Sequence, residues 1–372
     1  MKSSIANLGL IFALFLVMAG KAGIDSNPQI RVLIGQAHQQ LMIEGEALKI
    51  FAGGKKISSS GKVQIEIRND KLWAKEKKLG DSVKITAQSP IAVNGRIYRG
   101  GIWIKKAQAD FLIINQLPIE DYLAGVVKNE MNSKWSLEAL KAQTVLARSY
   151  ALGKVNQPRA KDYDLVATVE DQVYSGVSAE DSQAWQAINQ TKGEVLFYQK
   201  ELAQVFYHSC CGGKTESAQS AWGGAGKPYL KSVDCAYCQE CPYYFWRYPE
   251  QGVLTPEEIA NQLGYLGESV EELKIVESSP SQRVLKIQVR FKSGYEAVIT
   301  GNDFRIRLGR DKIKSTLFKI EKSSEGFVLF GSGSGHGVGL CQWGAKGMAE
   351  QGKSYKEILE FYFPGTELKR IY

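Results

Sequence analysis

The run Ser334-Gly335-His336-Gly337-Val338-Gly339-Leu340-Cys341-Gln342-Trp343-Gly344-Ala345 sets four glycines around and after one imidazole. Glycine lets a backbone take positive φ and pass close to a ligand, so such a loop can present His336 at the edge of a cleft. No Gly-Lys-Ser/Thr follows, which excludes a phosphate loop. The competing reading is a structural turn with a hydrogen-bonded histidine. Scarcity weighs against it: the chain has three histidines, and His208 and His336 both lie among glycines and cysteines.

Glu130 is the second residue placed for chemistry. In Leu117-Pro118-Ile119-Glu120-Asp121-Tyr122-Leu123-Ala124-Gly125-Val126-Val127-Lys128-Asn129-Glu130-Met131, Pro118 suits a first helical turn and Glu120 and Asp121 suit the positive end of a helix dipole. Ile119, Tyr122, Leu123, Val126 and Val127 recur at intervals of three and four, which predicts one helix over 118–131. Glu130 falls on the apolar stripe near its C-terminus. Desolvation and the dipole both disfavour an anion there, which is how a glutamate becomes a general acid at neutral pH. The alternative is a helix-end glutamate paired with Arg148.

The cysteines offer a third chemistry. Cys210 and Cys211 follow His208, Cys235, Cys238 and Cys241 form C-x2-C-x2-C, and Cys341 lies beside the histidine loop. Thiolates and imidazole at this density suit zinc, with His208 and members of Cys210, Cys211, Cys235, Cys238 and Cys241 as ligands. Disulfides are the rival, because an oxidising compartment favours them. Inert thiols are a third reading, and a redox pair lacks the strand–helix context it needs.

Compartment follows from the N-terminus. Lys2, an apolar segment from Ile5 to Met18 and small residues at Gly20 and Ala22 have the layout of an export signal, with a membrane anchor over residues 1–22 as the alternative. The protein is therefore expected in the cell envelope, in the periplasm or on the outer face of the cytoplasmic membrane. Its net charge of +8 would draw it to a polyanionic wall or an anionic lipid surface. No basic helix or aromatic–basic module is visible, and export argues further against a nucleic-acid partner.

These groups need a scaffold, and the chain's 372 residues are ample for one large core or two smaller ones. Short strands are expected at 30–36, 41–51, 62–73, 82–87, 97–98, 101–104 and 111–114. Helices follow at 118–131, 136–152 and 179–190, with a hairpin around Gln199-Lys200. A helix at 255–263, strands at 272–278, 283–291, 294–299, 317–321 and 326–331, and helices at 342–351 and 354–361 complete the chain. The fold class is α+β, with a strand-rich region at 23–116 ahead of a mixed domain at 117–372.

Three segments resemble the stage II sporulation protein D family, which includes proteins described as amidase enhancers. They are Leu117 to Met131; Leu137-Glu138-Ala139-Leu140-Lys141-Ala142-Gln143 with Ala147-Arg148-Ser149-Tyr150; and Gly335-His336-Gly337-Val338-Gly339 with Gln342, Gly344 and Ala345. His208-Ser209 with Gly212-Gly213-Lys214-Thr215 is a fourth. The resemblance covers about 118–363 and implies lytic transglycosylase action on peptidoglycan glycan strands already stripped of stem peptides. The alternative is a non-catalytic glycan-binding protein that recruits or stimulates a cell-wall amidase as its partner. The family's catalytic glutamate matches Glu130. Some members hold zinc through a histidine and cysteines, and His208 matches that histidine. Where the family often has Met-Pro after the glutamate, this chain has Met131-Asn132-Ser133. Arg148 and His336 are further catalytic candidates. Ser149, Tyr150, Trp222, Gln342 and Trp343 are candidates for holding sugar.

Overall fold

The computed structural model describes residues 27–107 and 110–372. The segment read as an export signal or anchor, residues 1–22, lies outside them. Among the described residues no helix is long and apolar enough to cross a membrane.

The architecture is α+β. Alternation of the expected kind builds the first sheet: Ile30 and Val32 point inward from strand Gln29–Ala37, and Val63 and Ile65 from strand Lys55–Arg68. The expected strand at 62–73 is two strands, because Asn69 and Asp70 take positive φ and turn the chain between Lys55–Arg68 and Lys71–Ala74. Gln29–Ala37 lies antiparallel to Asp110–Pro118 and parallel to the two-residue strand Leu165–Val166. The sheet thereby ends against the helical region. A single buried cluster runs from Ile30 and Leu117 through Tyr122 and Leu146 to Phe363.

The expected helix over 118–131 is broken. Helix α1 (Ile119–Ala124) and the one-turn α2 (Val127–Glu130) are separated at Gly125, where a Cβ would lie 2.4 Å from the Tyr174 ring. Glycine there admits the tyrosine at the cost of helix continuity. Helix α3 (Leu137–Asn156) is capped by the Ser136 hydroxyl, which accepts from the Glu138 N–H, and is buried around most of its circumference.

Helix α4 (Ser182–Gln190) starts three residues later than expected, where the Asp181 carboxylate caps it, and the hairpin of Glu194–Tyr198 with Glu201–Leu202 turns at Gln199-Lys200 as expected. Strand Tyr207–His208 then pairs in parallel with Leu340–Cys341, which brings the two histidine segments together. Between them lie the short helix α5 (Ala218–Trp222), the cysteine loop and a unit with its own core, from Leu254 to Leu329. That unit contains α6 (Pro256–Leu263), opened by a Thr255–Glu258 capping box, and α7 (Gly301–Leu308). It also holds the three-stranded sheet Val270–Ser278, Val284–Phe291 and Glu296–Thr300. Helices α8 (Gln342–Glu350) and α9 (Tyr355–Tyr362) return the chain to the first core. The second core is thus inserted into the first.

Candidate active site

Glu130 ends α2 half-buried, with its Oε1 accepting one backbone N–H, from Val173 at 2.9 Å. Burial raises its carboxyl pKa, and the Val173 N–H offsets this in part. Because α2 is a single turn, little dipole acts on it. Desolvation is the main cause, rather than the two causes the sequence suggested.

The walls around Glu130 come from separate segments. The Gln342 amide donates to the Glu130 backbone carbonyl at 2.8 Å and fixes the start of α8 against the end of α2. Trp343 meets Trp135 edge to face at 4.9 Å, so two half-buried indoles flank the loop that leaves Glu130. On the other side, Gln172 accepts from the Tyr122 hydroxyl at 3.0 Å and donates to the Tyr207 hydroxyl at 3.1 Å. Asp171, next in the same segment, accepts from the Tyr150 hydroxyl and the Val166 N–H and pairs with Lys154 and Arg159. Burial pushes the Asp171 carboxyl up, but these donors hold it below the ordinary range. Its side chain is fully buried, which leaves Glu130 as the carboxylate open to a ligand in this pair of segments.

Arg148 does not pair with Glu130. Its guanidinium is fully buried and grips Glu120 through Nε at 2.9 Å and Nη2 at 2.7 Å, with Nη1 donating to the Glu194 carbonyl. A side chain with 0% exposure cannot touch substrate, so the expectation for Arg148 is corrected to a structural one. Ser149 is likewise internal: its hydroxyl donates to the Val145 carbonyl and accepts from the Leu196 N–H. Tyr150 remains accessible in part. It lines a pocket of about 670 Å³ with Lys154, Gln157, Tyr198, Gln204 and Phe206, between the C-terminal half of α3 and the 198–206 segment.

The histidines lie together on a second surface. Their rings are 5.6 Å apart, and both are held by Val338: His208 Nδ1 donates to its carbonyl at 3.2 Å, and His336 Nδ1 accepts from its N–H at 3.1 Å. Phe206 and Trp222 pack against His336 and against each other, Trp222 being 53% exposed. This is an aromatic face of the kind that stacks on a sugar ring. Gly339 is required beneath it, because a Cβ there would lie 2.2 Å from the Phe206 carbonyl and its φ is positive. Burial pushes the His336 pKa down to about 4, so the ring is neutral near pH 7.

That depression has a direction. As pH falls below about 6.5, the unfolded chain takes up a proton that folded His336 refuses until about pH 4, so stability falls across this window. His336→Asn keeps an acceptor for the Val338 N–H and removes the titration. Urea melts at pH 7 and pH 4.5 should show the variant losing less stability than the parent, by on the order of 2 kcal/mol. Parallel pH profiles would show that this ring is not responsible.

The cysteines separate into two groups. The Sγ atoms of Cys211, Cys235, Cys238 and Cys341 all lie within 4.8 Å of one another and are buried. His208, Cys210 and Cys241 lie outside that set, and Cys341, absent from the expected ligands, lies inside it. A tetrahedral zinc with sulfurs at about 2.3 Å spaces them about 3.8 Å apart, so the set fits. Backbone N–H groups of Cys211 and Gly344 point at Cys341 Sγ at 3.2 and 3.3 Å, as suits a thiolate acceptor. All six cysteines are free thiols here.

Sequence comparison places these features among relatives. The family model described as Stage II sporulation protein matches residues 107–198, and one for a domain of unknown function matches 234–339. An uncharacterized protein of Brachyspira hyodysenteriae is 33% identical over 84% of both chains. The stage II sporulation protein D of Bacillus subtilis is 29% identical over 68% of this chain and 75% of its own. This chain belongs to the stage II sporulation protein D family. The amidase enhancer of Bacillus subtilis is also similar, at 31% identity over 66% of this chain, which spans 40% of that protein's length. The matched 107–198 segment carries Glu130 and its Val173 donor. The 234–339 segment carries most of the inserted unit and two of the four clustered cysteines.

Sequence reasoning missed Asp171, Gln172, Val173, Tyr207 and Trp135 as parts of the site. The 171–173 segment has no periodicity and no motif, so nothing local marks it. Trp135 follows Glu130 by five residues, and that nearness to a catalytic candidate is the signal that could have found it.

Proposed function

We propose that the protein is a lytic transglycosylase of the cell envelope that cleaves the bond between N-acetylmuramic acid and N-acetylglucosamine in peptide-free glycan strands, leaving 1,6-anhydro ends. The observation carrying this reading is the desolvated carboxyl of Glu130, held by the Val173 N–H two residues from a fully buried, ion-paired Asp171. A glycosidase with two working carboxylates needs both at the sugar. One glutamate suffices when it acts twice, first protonating the bridging oxygen and then taking the proton of the muramic C6 hydroxyl, so that the ring closes without water. Trp343 with Trp135, and Trp222 with Phe206, supply faces for sugar rings; Tyr150 and Gln342 order the walls. Membership of a family named for sporulation supports a role in cell-wall remodelling, in sporulation or in division.

The second reading is a glycan-binding enhancer that recruits a cell-wall amidase, and the similarity to the amidase enhancer favours it. Purified protein incubated with intact and with amidase-stripped peptidoglycan separates the two. Release of soluble sugar fragments from stripped strands by the protein alone supports the transglycosylase. No release, together with faster peptide removal by an added amidase, supports the enhancer.

A further inference from the structure

Among the described residues Arg283 makes no ion pair. It is 2% exposed and sits at the end of the Ser279–Arg283 turn joining two strands of the inserted unit. Its Nη2 donates to the Cys211 carbonyl at 2.8 Å and the Lys214 carbonyl at 3.5 Å, but among the described residues Nε and Nη1 have no partner. The guanidinium lies flat on Gly337 of the histidine loop, where a Cβ would be 2.6 Å from Cζ. The buried carboxylate nearby, Glu216, is taken by the Ser217 N–H and the Ser279 and Ser281 hydroxyls. Among the described residues it makes no ion pair with Arg283.

A buried guanidinium with open donors is strongly unfavourable unless negative charge faces it. The groups that reach Arg283 electrostatically include Cys211, Cys341 and Cys210 as well as Glu216. Neutral thiols or two disulfides in the cluster would bring no charge. A zinc ion held by four thiolates carries a net charge of −2, because the four sulfurs give up their protons on loading.

We propose that Cys211, Cys235, Cys238 and Cys341 hold one zinc ion as a tetrathiolate, and that Arg283 is the counter-charge by which the inserted unit docks on that centre. The site joins three segments of the first core: the residues after the His208 strand, the 235–238 loop and the N-cap of α8. Tyr362 on α9 closes it, with its hydroxyl 3.1 Å from Cys235 Sγ. With four protein ligands there is no open position, so the ion's contribution is structural. The proposal is independent of the transglycosylase reading.

The test uses the full chain purified without reductant or added metal. Elemental analysis should find one zinc per chain, and cobalt exchanged into the wild type should give the thiolate charge-transfer absorption of a tetrahedral four-sulfur site. Cys341→Ser should abolish stoichiometric zinc, while His208→Asn, Cys210→Ser and Cys241→Ser retain it. Arg283→Met should release zinc to a chromophoric chelator at least ~10-fold faster and raise hydrogen exchange in residues 270–300, with Arg283→Lys in between. Metal-free protein with the four sulfurs in disulfides overturns the zinc site. Zinc lost in His208→Asn but kept in Cys341→Ser overturns the ligand set. Unchanged release and exchange in Arg283→Met overturn the counter-charge.

Discussion

Glu130→Gln is expected to lower turnover of peptide-free glycan strands by ~10²-fold or more while leaving the fold intact. The amide can still accept the Val173 N–H, and the Gln342 contact is to the backbone, so the site keeps its shape. What is lost is the proton. The raised pKa fixes the sign of two further effects. The protonated acid is the working form, so activity should fall as pH rises past the raised pKa. Folding binds that proton more tightly than the unfolded chain does, so its stabilising effect is present at low pH and lost as pH rises through the folded pKa. Glu130→Gln should therefore be no less stable than the parent at pH 7. Thermal melts and initial rates on one preparation check both halves. A variant that melts several degrees lower would move Glu130 from chemistry to structure.

Arg148→Met should destabilise the protein by about 3–5 kcal/mol, the usual consequence of removing one partner of a buried pair. Its loss strands Glu120, whose Oε1 would keep only the Gly193 N–H and the Tyr372 hydroxyl, at 3.2 and 2.7 Å. The pair ties α1 to α3 and to the C-terminal residue, so the damage spreads across the first core. Denaturant unfolding gives the stability change, and activity per folded molecule gives the contrast. At a temperature where the variant is still folded, its kcat should be close to that of the parent. A kcat loss of 10²-fold in folded Arg148→Met would return this residue to the catalytic group.

The contrast between Glu130 and Arg148 shows what the sequence could reveal. Periodicity over 118–131 correctly put Ile119, Tyr122, Leu123, Val126 and Val127 inside and carried Glu130 to the margin of the same face. It could not reveal the break at Gly125, because the cause is Tyr174, a side chain from a distant irregular segment. Nor could it say which acid Arg148 holds. Helical spacing places Arg148 on a buried face, but its partner is chosen by how α1 crosses α3. The strands and the hairpin around Gln199-Lys200 were legible because alternation and turn residues are local signals.

The cysteines failed for the same reason in a sharper form. The C-x2-C spacing singled out Cys235 and Cys238, whose sulfurs lie in the four-sulfur cluster. Nearness in sequence then drew in His208, Cys210 and Cys241, while Cys341, a hundred residues further on, arrives only through the parallel pairing of Tyr207–His208 with Leu340–Cys341. The second core between Leu254 and Leu329 was readable element by element, but nothing in its residues says that it interrupts another core.

The most direct test of the central claim is to digest purified peptide-free glycan strands in ¹⁸O-water and identify the new sugar ends by mass spectrometry. One carboxyl acting first as acid and then as base predicts 1,6-anhydro-muramyl ends without solvent oxygen. Reducing ends that carry ¹⁸O would contradict it, because they require a water nucleophile and a second group to activate it.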